Sequence, residues 1–291
     1  MPELPEVETI VRDLNKKITG REIRDVWTDF PKNIKSPKDP AEFKEKIKNK
    51  KIKKVWRRGK NIVFDLSGGL TLLVHQKLTG HFLVGKWKLE NGKWQPIIKG
   101  ALDESVNKFI HLIFWLDNGK MLGLSDLRKF AKIILVETKN LSELEDLNKL
   151  GPEPLEKSFT FEKFKEIIQE TRGKIKQVLM DQGVIAGIGN IYSDEILWEA
   201  KIHPFREIKT LNNEELKRIY EGMKKILNKA IKLRGDSMSD YRLITGEKGG
   251  YQEIQKVYRR ERKPCPRKDG GIIKRVKIGG RSAHFCPICQ K

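Results

Sequence analysis

Apolar residues recur at Val7, Ile10, Val11, Leu14 and Ile18. That i, i+3, i+4, i+7 spacing marks one face of a helix and predicts an amphipathic helix over residues 5–18. The period then changes. Short β-rich runs follow at 23–27, 52–57, 62–66, 70–75, 81–84, 110–116, 121–124 and 132–136, separated by Gly, Asn and Asp. Eight such runs with turn signals between them predict a two-sheet β-sandwich, with residues 41–50 as a further short helix.

The pattern changes again at Leu150-Gly151-Pro152-Glu153-Pro154, where two prolines in three residues mark a boundary. Beyond it the periodicity is helical over 161–171, 174–181, 191–200 and 213–233. A Gly-rich stretch (234–250) precedes a basic, Cys-containing tail that reads as a β-hairpin. The expected class is α+β and multidomain: an N-terminal β domain over 1–138, a linker over 139–155, a helical domain over 156–250 and a hairpin over 251–291. No internal repeat is found.

Composition narrows the function. At 291 residues the chain buries about three quarters of its extended surface, enough for roughly two domains. No apolar run approaches the length of a membrane span, and the opening Pro-Glu sequence lacks the charged-then-apolar order of a secretory signal. Three cysteines, an odd number, argue against a disulfide scaffold and for a reducing cytoplasm. The formal net charge is +21, and residues 231–291 hold sixteen Lys/Arg against six Asp/Glu. A basic excess concentrated in one segment is the electrostatic footprint of a nucleic-acid binder.

The chain start carries candidate chemistry. Pro2 is small enough to permit removal of the initiator Met, which would leave a secondary amine next to Glu3. An α-amino group has a reference pKa roughly 2.5 units below that of a Lys side chain, so more of it is unprotonated and nucleophilic at neutral pH. Attack on a sugar C1′ gives an iminium, an electron sink that eases β-elimination. Glu3 would protonate the opened sugar oxygen and then shuttle protons. Taken alone, the same residues also read as an ordinary helix start with acids near its N-terminus.

The opening Pro2-Glu3-Leu4-Pro5-Glu6-Val7-Glu8-Thr9 strongly resembles that of the bacterial formamidopyrimidine-DNA glycosylases. Further matches are Arg57-Arg58-Gly59-Lys60, Ser125-Asp126-Leu127-Arg128-Lys129-Phe130, Leu150-Gly151-Pro152-Glu153-Pro154-Leu155, Ile185-Ala186-Gly187-Ile188-Gly189-Asn190-Ile191-Tyr192 and Gly279-Gly280-Arg281. The resemblance implies a catalytic β-sandwich, a helix-two-turns-helix DNA-binding domain and a zinc-ribbon-like hairpin. It also implies roles: Pro2 as nucleophile, Glu3 as acid and base, and Lys60, His75, Asn190 and Arg281 on phosphates. Leu78, Arg128 and Phe130 would fill the space left by an extruded base. The family usually has Met at position 78. Leu78 is less flexible, so intercalation there is expected to differ. Residues 241–251 correspond to the family's segment over the flipped base but match it poorly, which leaves base preference open.

The tail departs most from the family pattern. In place of two Cys-x2-Cys pairs, the second is present (Cys286, Cys289) and the first reads Cys265-Pro266-Arg267-Lys268-Asp269-Gly270. With the following glycines as register marker, Asp269 takes the missing cysteine's place. Carboxylates do ligate zinc, so a Cys265, Asp269, Cys286, Cys289 site for structural zinc is expected, with His284 as an alternative fourth ligand and a metal-free hairpin as the other outcome. The resemblance implies a bifunctional glycosylase and abasic-site lyase acting on oxidised purines (8-oxoguanine, formamidopyrimidines) in double-stranded DNA during base excision repair. It would act as a monomer in the cytoplasm, associated with the nucleoid. The alternative is an abasic-site lyase or lesion-binding protein with weak or lost base excision.

Overall fold

The computed structural model describes residues 1–291, and the chain divides into two compact units. The first comprises Met1–Asn148 and Leu233–Gln252. It opens with α1 (Leu4–Ile18), β1 (Glu22–Thr28), β2 (Ile34–Ser36) and α2 (Pro40–Ile47). The antiparallel run β3 (Lys50–Arg58), β4 (Asn61–Leu66) and β5 (Leu70–His75) follows. Then come β6 (His81–Gly85), β7 (Trp87–Glu90), β8 (Lys93–Pro96), β9 (Ile110–Leu116), β10 (Met121–Ser125), β11 (Lys132–Glu137) and the short α3 (Glu145–Asn148).

Nine strands run in the order β2-β11-β5-β4-β3-β1-β9-β10-β6. The two halves of this sheet join only where β1 meets β3, at Glu22↔Lys51 and Ile23↔Lys50, so one half folds over the other as the expected sandwich. Every second residue of β9 (Leu112, Phe114, Leu116) and of β10 (Leu122, Leu124) enters the core, where it meets Ile62, Phe64, Leu72, Val74, Ile133 and Leu135 of the other half. Phe64 and Phe82 pack edge to face at 5.7 Å across this core, a geometry favoured by the ring quadrupoles. The apolar stripe of α1 (Val7, Ile10, Val11, Leu14, Ile18) is buried in the same core. Asn15 of α1 substitutes for a strand partner. Its side chain accepts from the Val55 N–H at 3.0 Å and donates to the Val55 carbonyl.

On the other side of β9, Ile113 and Trp115 are apolar beside the polar His111. Ile110 and Ile113 join Leu83 and Trp87 in a second cluster capped by Trp27, Trp94 and Trp115. The β7–β8 hairpin that covers this face was not among the expected strands, nor was three-residue β2, which pairs in parallel with β11.

The second unit comprises Lys149–Lys232 and Glu253–Lys291. It holds α4 (Phe161–Gln169), α5 (Ile175–Met180), α6 (Asn190–Ala200), α7 (Asn213–Lys232) and the hairpin β12 (Lys274–Ile278) with β13 (Arg281–Phe285). Residues 233–250, assigned from the sequence to the helical domain, pack instead in the first unit. Tyr241, Leu243 and Ile244 belong to the sandwich core, and Val84 N–H donates to the Ile244 carbonyl at 2.8 Å. Three apolar residues in four give this Gly-rich stretch enough apolar surface to join that core. No helix is long and apolar enough to cross a membrane.

Candidate active site and nucleic-acid interface

Pro2 and Glu3 are buried immediately before α1, and Met1 is partly exposed. Glu3 and Glu6 form a capping box, with the Glu6 carboxylate accepting from the Glu3 backbone N–H at 2.7 Å. The other Glu6 oxygen accepts from Asp236 N–H at 2.8 Å. One buried carboxylate therefore ties the chain start to the returning 233–252 segment. A Cβ at Gly235 would come within 2.8 Å of that oxygen, so this approach requires glycine.

Met1 lines a hollow of about 570 Å³ together with Leu78 and Phe130, and Phe30, Asn33, Lys32, Lys35, Lys77, Lys129 and Ala131 complete its wall. Phe130 is half-exposed and the Arg128 guanidinium sits 4.6 Å from its ring centroid. The loop carrying them turns on Asp126, which is fully buried. Asp126 accepts from Thr79 Oγ1 and from Ala131 N–H (2.8 Å), while Thr79 Oγ1 accepts from Arg128 N–H at 3.1 Å. This clip joins the loop of Leu78 to the loop of Arg128 and Phe130.

Lys60 occupies the two-residue turn between β3 and β4 and is buried. Asn61, beside it, pairs with His75 at the end of β5. Burial, reinforced by the charges of Lys77 and Lys60, pulls the His75 pKa down to about 3. The ring is therefore neutral, and its Nδ1 accepts from Lys77 N–H at 2.9 Å. That fixes the tautomer and leaves Nε2–H as the donor.

In the second unit the stretch between α5 and α6 is held by one side chain. Gln182 donates to the Met180 (2.8 Å) and Ile188 (2.7 Å) carbonyls and accepts from Gly187 N–H (2.9 Å). Asn190 then begins α6 with its side-chain oxygen buried and unpaired. A helix N-terminus presents backbone N–H groups without intrahelical partners and favours an anion. Arg281 is exposed at the start of β13, just after Gly279 and Gly280, whose φ values are +52° and +74°. A Cβ at Gly279 would displace the Gln177 amide of α5, and the positive φ of both residues favours glycine at the hairpin tip.

Helix α6 is the spine of this unit. Asp194 is fully buried between Lys176 Nζ of α5 and the His284 Nδ1 (2.8 Å) and N–H (3.0 Å) of β13. Glu195, also fully buried, accepts from the N–H groups of Lys256, Val257 and Tyr258. Burial raises its pKa despite those three donors.

Cys265, Asp269, Cys286 and Cys289 converge with all ligand atoms within 4.8 Å of one another. Cys265 and Cys289 sulfurs are 3.9 Å apart, and Cys286 Sγ lies 3.4 Å from Asp269 Oδ2. A tetrahedral zinc with bonds of about 2.3 Å to sulfur and 2.0 Å to oxygen has edges of roughly 3.8 and 3.5 Å, so the donor set fits such an ion. Burial, with Asp269 and Cys286 alongside and Arg267 opposing, pushes the Cys289 thiol up to about 12, a strain that a bound cation would relieve. His284 is engaged by Asp194 and stands apart from the cluster, so the alternative fourth ligand is set aside.

Sequence reading missed Thr79, Asp126, Gln182, Asp194 and Glu195. Asp126 lies within a quoted motif without a role given to it, and the Asp194-Glu195 pair sits just after another; acids within otherwise buried runs were the available signal, while Gln182 and Thr79 gave none.

The family described as "Formamidopyrimidine-DNA glycosylase N-terminal domain" matches residues 1–133, and "Formamidopyrimidine-DNA glycosylase H2TH domain" matches residues 150–242. The formamidopyrimidine-DNA glycosylase of Pelotomaculum thermopropionicum is 43% identical over 291 residues, covering 100% of this chain and 99% of the relative. That of Desulforamulus reducens is 40% identical with the same coverage. Among solved structures, the Lactococcus lactis Fpg in complex with DNA containing an abasic site superposes with a TM-score of 0.86 at 33% identity, covering 99% of both chains. The Thermus thermophilus MutM (Fpg) protein gives 0.82 at 34% identity, covering 99% of this chain and 98% of that one. Together these matches span both units, and the chain belongs to the formamidopyrimidine-DNA glycosylase family.

Proposed function

We propose that this protein is a bifunctional DNA glycosylase and abasic-site lyase that excises oxidised purines from duplex DNA in base excision repair. Full-length family membership combined with the Pro2-Glu3 opening is the observation that carries the reading. Relatives solved with DNA support the choice of partner, including the Lactococcus lactis enzyme with abasic-site DNA and with Fapy-dG DNA.

In this reading, Met1 is removed and the Pro2 nitrogen attacks C1′ of the damaged nucleotide. The C1′–N bond to the base breaks, the sugar ring opens, and an iminium joins Pro2 to the sugar. Glu3 protonates the ring oxygen as it leaves. The iminium acidifies the C2′ proton, whose loss expels the 3′ phosphate in β-elimination; loss of the C4′ proton then expels the 5′ phosphate in δ-elimination, which leaves a one-nucleotide gap. Lys60, His75, Asn190 and Arg281 grip the phosphates. Leu78 and Phe130 fill the emptied stack, and Arg128 offers two donors to the orphaned base. Extrusion costs a few kcal/mol, which these contacts offset.

Cys265, Asp269, Cys286 and Cys289 would hold zinc. Bound there, the ion supplies a structural cross-link and takes no part in bond breaking. The enzyme acts as a monomer among the cytoplasmic nucleoid DNA.

The test is borohydride reduction of fully Met-processed protein on a duplex with 8-oxoguanine opposite cytosine, with base release and strand cleavage assayed separately. The expected result is a covalent protein–DNA adduct with both base release and cleavage. No adduct would refute Pro2 as nucleophile. Cleavage at abasic sites without base release would identify a lyase that has lost excision.

A further inference from the structure

Arg267 makes a half-buried cationic contact apart from the reacting groups. Arg267 lies between Cys265 and Asp269 in the knuckle, and its guanidinium sits over the Trp198 indole, 3.7 Å from the ring centroid. Nη1 donates to Cys289 Sγ at 3.2 Å, and Nη2 donates to the Glu199 carbonyl at 3.2 Å. Trp198 and Glu199 are in the last turn of α6, where a helix favours a cation.

The charge count explains why such a group belongs there. A divalent ion with three thiolates and one carboxylate carries a net −2, the same as with four thiolates. Cys265 and Cys286 are buried and Asp269 and Cys289 half-buried, so water screens that excess only in part. A guanidinium in hydrogen-bond contact halves it, and arginine cannot discharge by losing its proton. The N–H···S bond also draws electron density from the sulfur, and the indole face holds the planar group in place.

We propose that Arg267 is the outer-sphere partner of the metal centre, compensating one of its two excess charges at Cys289 and fastening the centre to the C-terminal end of α6. The proposal rests on the reading of the cluster as a metal site, and the two are separable. Elemental analysis of the full chain comes first, and absence of a stoichiometric metal would sink both before any variant is made.

The full-length protein is then loaded with Co(II), and Arg267→Met is compared with Arg267→Lys. Methionine keeps an apolar stem over Trp198 and removes the donors; lysine keeps the charge. Arg267→Met is expected to move the thiolate-to-cobalt charge-transfer band to lower energy and to speed metal transfer to a chelator by roughly 10–100-fold. Arg267→Lys should recover most of the band position and part of the retention. An Arg267→Met protein that keeps the wild-type band and release rate, even with a lowered melting temperature, would reduce Arg267 to packing and overturn the proposal. If Arg267→Met does not fold, the lysine variant decides alone. A faster release with a near-native band supports the proposal, and unchanged release refutes it.

Discussion

His75 and Arg281 are both proposed to meet phosphates, and they would do so with different chemistry. Burial leaves His75 neutral, so it brings a hydrogen-bond donor but no charge to exchange for a counterion. Removing Arg281 should flatten the slope of log affinity against log salt by about one, and Lys60→Ala should do the same. His75→Ala should weaken binding at pH 7.5 with the slope intact, and titrations at several salt concentrations check all three. Glu3→Gln is expected to slow base release by 10²–10⁴, the usual span of general acid–base catalysis. DNA affinity should change little, so single-turnover and binding measurements separate the two. At this scale Pro2, Glu3, Asn190 and Arg281 could be proposed from the sequence because each sits in a motif that falls in the family's order. Thr79 and Gln182 were illegible because their work is a hydrogen bond to a backbone that only the fold brings near.

Between elements, the Thr79–Asp126 clip is the most exposed to test. Thr79→Val leaves the buried Asp126 carboxylate and the Arg128 N–H each short of a partner. The expected cost is about 1–3 kcal/mol of stability, read from the urea midpoint. Discrimination among bases opposite the lesion should fall as well, because Leu78, Arg128 and Phe130 lose their common anchor. Period-2 and period-3.6 patterns made the long strands and helices readable to within a few residues. The β7–β8 hairpin carried a signal that was passed over: Asn91-Gly92 at its tip, with both residues at positive φ, is a favoured two-residue turn. The three-residue β2 offered nothing comparable, since its parallel pairing with β11 is set by residues a hundred positions away.

Over the whole molecule, the buried imidazoles should make the fold sensitive to acid. Burial depresses His75, to about 3, and lowers His81 and His203 in the same direction. In the unfolded chain each imidazole takes up a proton near pH 6.5, while the folded protein binds its proton only at lower pH. The unfolded state therefore binds more protons below about 6.5, and stability falls as pH drops from there toward 3. Tryptophan fluorescence against pH should show this loss, and His81→Asn should diminish it. Fold class, strong positive charge and nucleic-acid partnership were readable from composition and motif order. The allotment of residues 233–252 was not, because it depends on what Tyr241, Leu243 and Ile244 are buried against.

That allotment has a consequence for synthesis. Each compact unit is built from two separated stretches, and the stretches alternate along the chain. As the polypeptide leaves the ribosome, the sandwich lacks three of its core side chains until residues near 250 have emerged, after the first stretch of its neighbour is already out. The sandwich is completed only after most of its neighbour has been made, and the neighbour only at the end of the chain. A gene cut between codons 148 and 149 should therefore yield two fragments that are each unstable alone, and mixing them should restore what neither half retains.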